Sequence, residues 1–450
     1  MGKLLRIVGI LLVVLVLGLV AASFALNAYL NSASFRGWME AKTGETLGTP
    51  VKVEDFHFSL FQGFVMKGVT VPAPAQFPGQ PLFAAKSFEF RYSPAALLAG
   101  KVEITKVVLA TPALSLHQAA DGSSNATASK AETKPAASQE APSTGLPLAV
   151  HIDKLSVTDG SAEVYKADGS ATALVKDADL ESSLSLVGTD AALDGSFSVK
   201  TITLPGLIVI DDLRSPFTLK DKHFTLSHIQ GGCAGGSLDG DGALDLNQAA
   251  TLPFTLNLKG KDLDLQKLAE GATGRSLPVS GKVQAQIATV VPLSDPMTLT
   301  GKGHTEITDV KLPSNPVFQL LGTALNLPEL AGGSFQLASS DFALGGRAVT
   351  LSNLMLQGPL VKITGGGKIT FDQNYDLTLV LVLDPKAVEK LPKESQGALT
   401  SNSDGTFQTP SFRVYGKPGA MQTDLLQQLL KKAAGEAVQK KLGGALKKLF

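Results

Sequence analysis

The stretch PFTLNLK, residues 253–259, sets Phe254, Leu256 and Leu258 against Thr255, Asn257 and Lys259 at a period of two. Side chains of a strand alternate between faces, so this spacing predicts a strand with one apolar and one wet face. The same pattern recurs outward from it. Phe88, Phe90 and Tyr92 alternate with Glu89 and Arg91, and Phe56, Phe58 and Leu60 share a face. Val102 and Ile104 alternate with Lys101, Glu103 and Thr105. Leu377 to Leu383 is apolar on both faces, which predicts a cover on its outer side. Turn residues (Gly, Asn, Asp) recur between these runs, as an antiparallel meander requires.

At the start of the chain, Ile7 to Ala22 holds no polar side chain, and the apolar character continues to Tyr29. A membrane-crossing helix needs about 20 such residues. Lys3 and Arg6 precede the run and no acidic residue occurs before Glu40. The positive-inside bias then places the N-terminus in the cytoplasm and the rest beyond the membrane, which in a bacterial cell is the periplasm. A cleaved signal peptide is the competing reading, but the run is long for one and Val20-Ala21-Ala22 is a mediocre cleavage site.

The 450 residues carry 40 basic and 40 acidic side chains, 45 glycines and one cysteine. A single cysteine excludes an intrachain disulfide; Cys233 reads as a small buried apolar residue at a strand end. The basic excess gathers at the end of the chain, where six lysines after residue 423 face only Asp424 and Glu436. The body is mildly acidic, which argues against nucleic acid as a partner. Residues 119–146 are Ala, Ser, Thr, Lys, Glu and Pro with almost no large apolar residue, the composition of a disordered linker. They hold the sequon Asn125-Ala126-Thr127, which carries no weight in a bacterial protein.

Phe224-Thr225-Leu226-Ser227 repeats as Val349-Thr350-Leu351-Ser352, and Gly240-Asp241-Gly242 as Gly365-Gly366-Gly367, at one offset of 125 residues. This points to a duplicated multi-strand unit. Its glycines, with Gly301 and Gly303, mark places where strands bend or backbones approach closely. The last residues change period. Leu425, Leu426, Leu429 and Leu430 form a helical stripe flanked by Lys431, Lys432, Lys440, Lys441, Lys447 and Lys448. This amphipathic helix is expected to plug one end of the β-body, to lie on anionic lipid headgroups, or to do both.

No Walker loop, His-Glu-x-x-His or Gly-x-Ser-x-Gly occurs, and the six histidines are scattered. Asp239 and Asp241 lack the further oxygen ligand a calcium loop wants. The expectation is a non-enzyme with no cofactor and no metal site.

In order, the chain shows an apolar anchor, then FHFSLFQGFVMKGVTV (56–71), then PLFAAKSFEFRYSPAALLAGKVEITKVVLATPALSLHQAADGSSN (81–125). This order resembles the opening of AsmA-family proteins of Gram-negative envelopes. Residues 335–383 and PSFRVYGKP (410–418) resemble that family's C-terminal module. The linker is long for the family, the chain is short, and the basic tail is not part of the pattern.

The resemblance implies an elongated, twisted, partly open antiparallel β-sheet with an apolar groove, related in shape to bridge-like lipid-transfer proteins. It also implies a part in outer-membrane biogenesis, by moving glycerophospholipid or by influencing outer-membrane protein assembly as a scaffold. Few helical segments are available to cover the apolar faces, which independently requires a sandwich or a curled sheet.

The expected organisation is an anchor (1–30), an N-terminal β-module (31–118), the linker (119–146), a repeated β-body (147–419) and the basic helix (420–450). The expected groove wall comprises Phe88, Phe90, Phe254, Leu256, Leu258, Leu377 and Leu379. The expected partners are phospholipid, the inner membrane, and other envelope proteins or further copies of the chain.

Overall fold

The computed structural model describes residues 28–47, 49–59, 62–74, 77, 79–98, 103–121, 123–126, 149–187, 190–248, 250–312, 316–418, 420–432 and 434. The expected anchor falls almost wholly outside them. Among the described residues no helix is long and apolar enough to cross a membrane. The chain divides into two compact units, Met1–Pro205 with Ile210–Phe224, and Gly206–Val209 with Thr225–Phe450.

The first unit opens with the helix Ala33–Leu47, then β1 (Lys52–Ser59), β2 (Gly63–Val71), β3 (Phe83–Tyr92), β4 (Glu103–Ala110) and β5 (Ala113–His117). After the linker come β6 (Ala149–Tyr165), β7 (Ala171–Val187) and β8 (Asp190–Leu204). β1 to β4 pair in antiparallel sequence, as do β6 to β8. The antiparallel expectation fails at one seam, because β4 and β5 both pair with β6 in parallel. A parallel pair needs a connection of a dozen or more residues, and the segment between β5 and β6 supplies it. β4 and β5 edge the same strand in turn, parted where Thr111 adopts φ 49° before Pro112.

Residues 119–121 and 123–126, counted above with the linker, fold back on β5. Gln118 bridges Ser124. Asn125 is 0% exposed, accepts from the His117 N–H at 3.0 Å and donates to the Ser115 carbonyl at 2.8 Å. The sequon asparagine therefore completes a strand edge. Asn125→Ala would remove the partner of one buried and one half-buried backbone group, and we expect a loss of about 2 kcal/mol, read from the urea midpoint. The remainder of the linker lies outside the described residues.

Side chains also seal the outer edge of β1. Asn31 donates to the Phe58 carbonyl at 2.8 Å and accepts from the Phe58 N–H at 2.6 Å. Arg36 donates to the Glu54 carbonyl at 2.9 Å, and Glu40 accepts from the Val53 N–H at 2.7 Å. The helix thus stands where the next strand would, and a covered edge cannot template pairing with another chain.

The division between units falls within β9 (Ile208–Lys220) and β10 (His223–Cys233). β11 (Gly236–Asp245), β12 (Pro253–Asp264), β13 (Ser280–Pro292), β14 (Thr300–Lys311), β15 (Ser334–Gly345), β16 (Ala348–Gln357), β17 (Val361–Thr370) and β18 (Tyr375–Leu383) follow. From β11 to β18 each pairs antiparallel with the next. β19 (Thr400–Ser401), β20 (Phe407–Gln408), β21 (Phe412–Gly416) and β22 (Gln422–Thr423) close the unit, with β21 on β18. Shifted by 125 residues, β10 and β11 overlie β16 and β17, with bounds 348–358 and 361–370 against the observed Ala348–Gln357 and Val361–Thr370. Cys233, 1% exposed, ends β10 against Leu263 and Val283.

Bulges curve these strands. Asp159, Asp262 and Asn353 sit at register shifts with φ of 53°, 57° and 51°. Asp and Asn tolerate the left-handed region better than other side-bearing residues, and a bulge adds local twist.

One end of the C-terminal unit's apolar face is filled. The helices Pro316–Ala324, Pro328–Ala331 and Pro385–Val388 and helical residues 425–432 pack there, burying Leu325, Leu327, Leu381, Leu383, Ala387 and Leu425 at 0% exposure. The cover over Leu377–Leu383 therefore lies on the leucine face, and Val380 and Val382 on the outer side stay half-buried. Of the C-terminal stripe, Leu425 and Leu429 enter this core, whereas Leu426 and Leu430 are exposed at 41% and 69%. Lys432 donates to Thr400 and Lys431 is exposed; Lys440, Lys441, Lys447 and Lys448 lie outside the described residues.

Candidate functional site

Residues paired across a ladder share a sheet face, so the registers show which side chains line up. In the N-terminal unit one line runs Phe56, Met66, Phe88, Leu109, Val157, Leu180 and Phe197 from β1 to β8, passing over β5. Phe64 and Phe90 flank it, their rings stacked 5.0 Å apart. In the C-terminal unit a line runs Gly240, Leu258, Ile287, Gly303 and Phe342, then Leu351, Gly367, Leu377 and Val414. Not one ionisable group interrupts either line.

The sequence-predicted wall residues fall on these faces. Phe88 belongs to the first line with Phe90 beside it; Leu258 and Leu377 belong to the second, with Phe254 and Leu256 two and one ladder steps along β12. Leu379 is on the same face as Leu377 but is 9% exposed, enclosed in the plugged end. Leu256, Leu258, Ile287, Phe342 and Leu351 are half-buried, while Thr255, Asn257, Lys259, Gln286 and Lys302 on the opposite face are exposed. An open cavity of about 790 Å³ lies along these strands; Asn257, Lys259, Gln286, Lys302, His304 and Asp341 of the polar alternation line it together with Leu258, Ile287, Gly303 and Phe342.

Glycine makes this face deep. A Cβ on Gly303 would collide with the Gln286 carbonyl and the Phe342 ring, which lies across it; one on Gly240 would meet a Leu258 methyl at 2.8 Å. Large apolar side chains thus lie over glycines of neighbouring strands, and the glycines let the strands coil. The glycine clusters are sites of close approach, as their spacing predicted.

The opposite face is electrostatic. Glu89, between Phe88 and Phe90, accepts from Arg91 and from Lys106 at 3.1 Å. Burial raises its carboxyl, but hydrogen bonds and charge from Lys106 and Arg91 outweigh burial and hold it below the usual range. Asp341 is lowered likewise, by the amide of Asn353 and by His304 at 2.6 Å. Among the described residues no group of three or more His, Cys, Asp or Glu could hold a metal.

Sequence reasoning missed a second, more enclosed cavity of about 700 Å³ in the N-terminal unit. Its walls come from Met39 of the edge helix and from Val53, Met66, Val69, Leu82 and Leu114. The signal was present in the two-residue spacing of Val51 with Val53 and Val69 with Val71, all buried. What spacing could not give is the helix that roofs it.

Compared with protein-family models, the chain matches the AsmA family over residues 1–190. The segments 335–383 and 410–418 lie outside that span. No curated protein and no solved structure matches the chain.

Proposed function

We propose, from the premise that this chain belongs to the AsmA family through its residues 1–190, that it is a non-enzymatic protein of the bacterial envelope serving outer-membrane biogenesis. On this reading it is held in the inner membrane by residues 1–30 with its body in the periplasm, and it binds or carries glycerophospholipid on its apolar β-face. The observation that carries the reading is the uninterrupted apolar line from Leu258 to Leu377 with its polar reverse side. Acyl chains need only a continuous non-polar wall, and a row of half-buried apolar side chains unbroken by an ionisable group supplies one.

Phospholipid should co-purify with the full chain taken from membranes into a polymer belt, as measured by mass spectrometry. Leu258→Asp with Ile287→Asp should cut occupancy of the C-terminal face about tenfold or more, since each buried apolar side chain contributes about 1.5–3 kcal/mol. The alternative is a scaffold for outer-membrane protein assembly, favoured by the tightly packed end around Leu381 and Leu383. It predicts a lipid-free protein indifferent to those substitutions.

A further inference from the structure

The 700 Å³ cavity of the N-terminal unit differs in chemistry from the open face of the C-terminal unit. Its wall is apolar except at one place, where Glu40 and Thr49 stand. Glu40, Thr49 and Val51 also line a shallow opening of about 460 Å³, bounded on its other side by Gly37, Ala41 and Gly44. The carboxylate therefore sits at the mouth, between an apolar interior and the opening. One of its oxygens, Oε1, is engaged by the Val53 N–H at 2.7 Å. Pockets of roughly 300–1,000 Å³ with apolar walls and few fixed polar groups suit small ligands whose head the polar group orients. A carboxylate at such a mouth attracts a cationic donor and repels an anionic head.

Resting on the lipid-binding reading above, we propose that this cavity takes the hydrocarbon chain of an amphiphile whose head presents an amine, with the chain against Met66, Val69 and Leu114 and the amine at Glu40. An amine-headed membrane lipid meets this description and a fatty-acid carboxylate does not. The site is separate from the Leu258–Leu377 face and selects by head charge. The edge helix supplies both the roof (Met39) and the head contact (Glu40).

The test uses membrane vesicles carrying the full chain and two photoreactive probes with identical diazirine-bearing alkyl chains. One ends in a primary amine and the other in a carboxylate; labelled peptides are located by mass spectrometry. The amine probe should label β2 and β5 about tenfold more than the carboxylate probe, the scale of one charge-assisted hydrogen bond. Glu40→Gln keeps an acceptor for Val53 and removes only the charge, so it should bring the two probes to near parity. Val69→Trp, which fills the cavity, should abolish labelling by both. Equal labelling in the unaltered chain, or a preference that survives Glu40→Gln, would overturn the proposal. Labelling confined to Leu258, Ile287 and Phe342 would overturn it while leaving the apolar-face reading standing. No labelling in either unit would remove both.

Discussion

Gly367→Val is expected to destabilise the chain by about 3–4 kcal/mol, a large value for a point substitution. Gly367 has φ 150°, a conformation side-bearing residues rarely adopt, and a Cβ there would collide with the Asp376 carbonyl and lie 2.7 Å from the Leu377 Cα. A β-branched side chain there must push β17 from β18 or change the backbone angle, and either breaks the ladder between Gly365 and Ile369. Gly345→Ala is the control, because nothing lies within 4 Å of its Cβ; it should cost under about 0.5 kcal/mol. Urea titration by circular dichroism checks both. Equal midpoints for the two variants would mean that glycine is not what allows β17 to approach its neighbours.

The second large effect concerns the β1 edge. Removing Asn31, Arg36 and Glu40 together as alanines deletes four hydrogen bonds to β1 backbone groups. At about 1 kcal/mol each the loss approaches 4 kcal/mol, and the bared edge becomes a template for pairing. The triple variant should lose stability and self-associate, as seen by light scattering of the purified full chain, whereas the unaltered chain should not associate through this edge. A triple variant that remains as monodisperse and stable as the parent would show that the helix does not act as an edge cover.

Much of this molecule was legible because its determinants are local. Phe254, Leu256 and Leu258 announce a strand and its wet side without reference to any partner. The 125-residue echo announces paired strands whose observed bounds coincide with it. Gly240, Gly303 and Gly367 announce close approach, although only the register shows that each lies beside a bulky apolar side chain.

Four things depended on long-range geometry and were not legible. The parallel pairing of β4 with β6 is set by what the intervening segment allows, not by the strands themselves. Asn125 reads as part of a disordered run because its neighbours are Ser, Ala and Thr; its side-chain bonds to β5 are invisible in composition. The edge helix carries little apolar periodicity to betray its role, because only Phe35 and Met39 pack on the core while Arg36 and Glu40 reach β1 backbone groups. Leu379 shares the spacing of Leu377, and only the helices packed on that end distinguish the enclosed residue from the open wall.

Mass spectrometry of lipid retained by the full chain tests the central claim most directly. The account predicts phospholipid at about one or more per chain, falling when Leu258 and Ile287 become aspartate while the fold, by circular dichroism, persists. A stable chain purified from membranes without phospholipid, and unchanged by those substitutions, would contradict it.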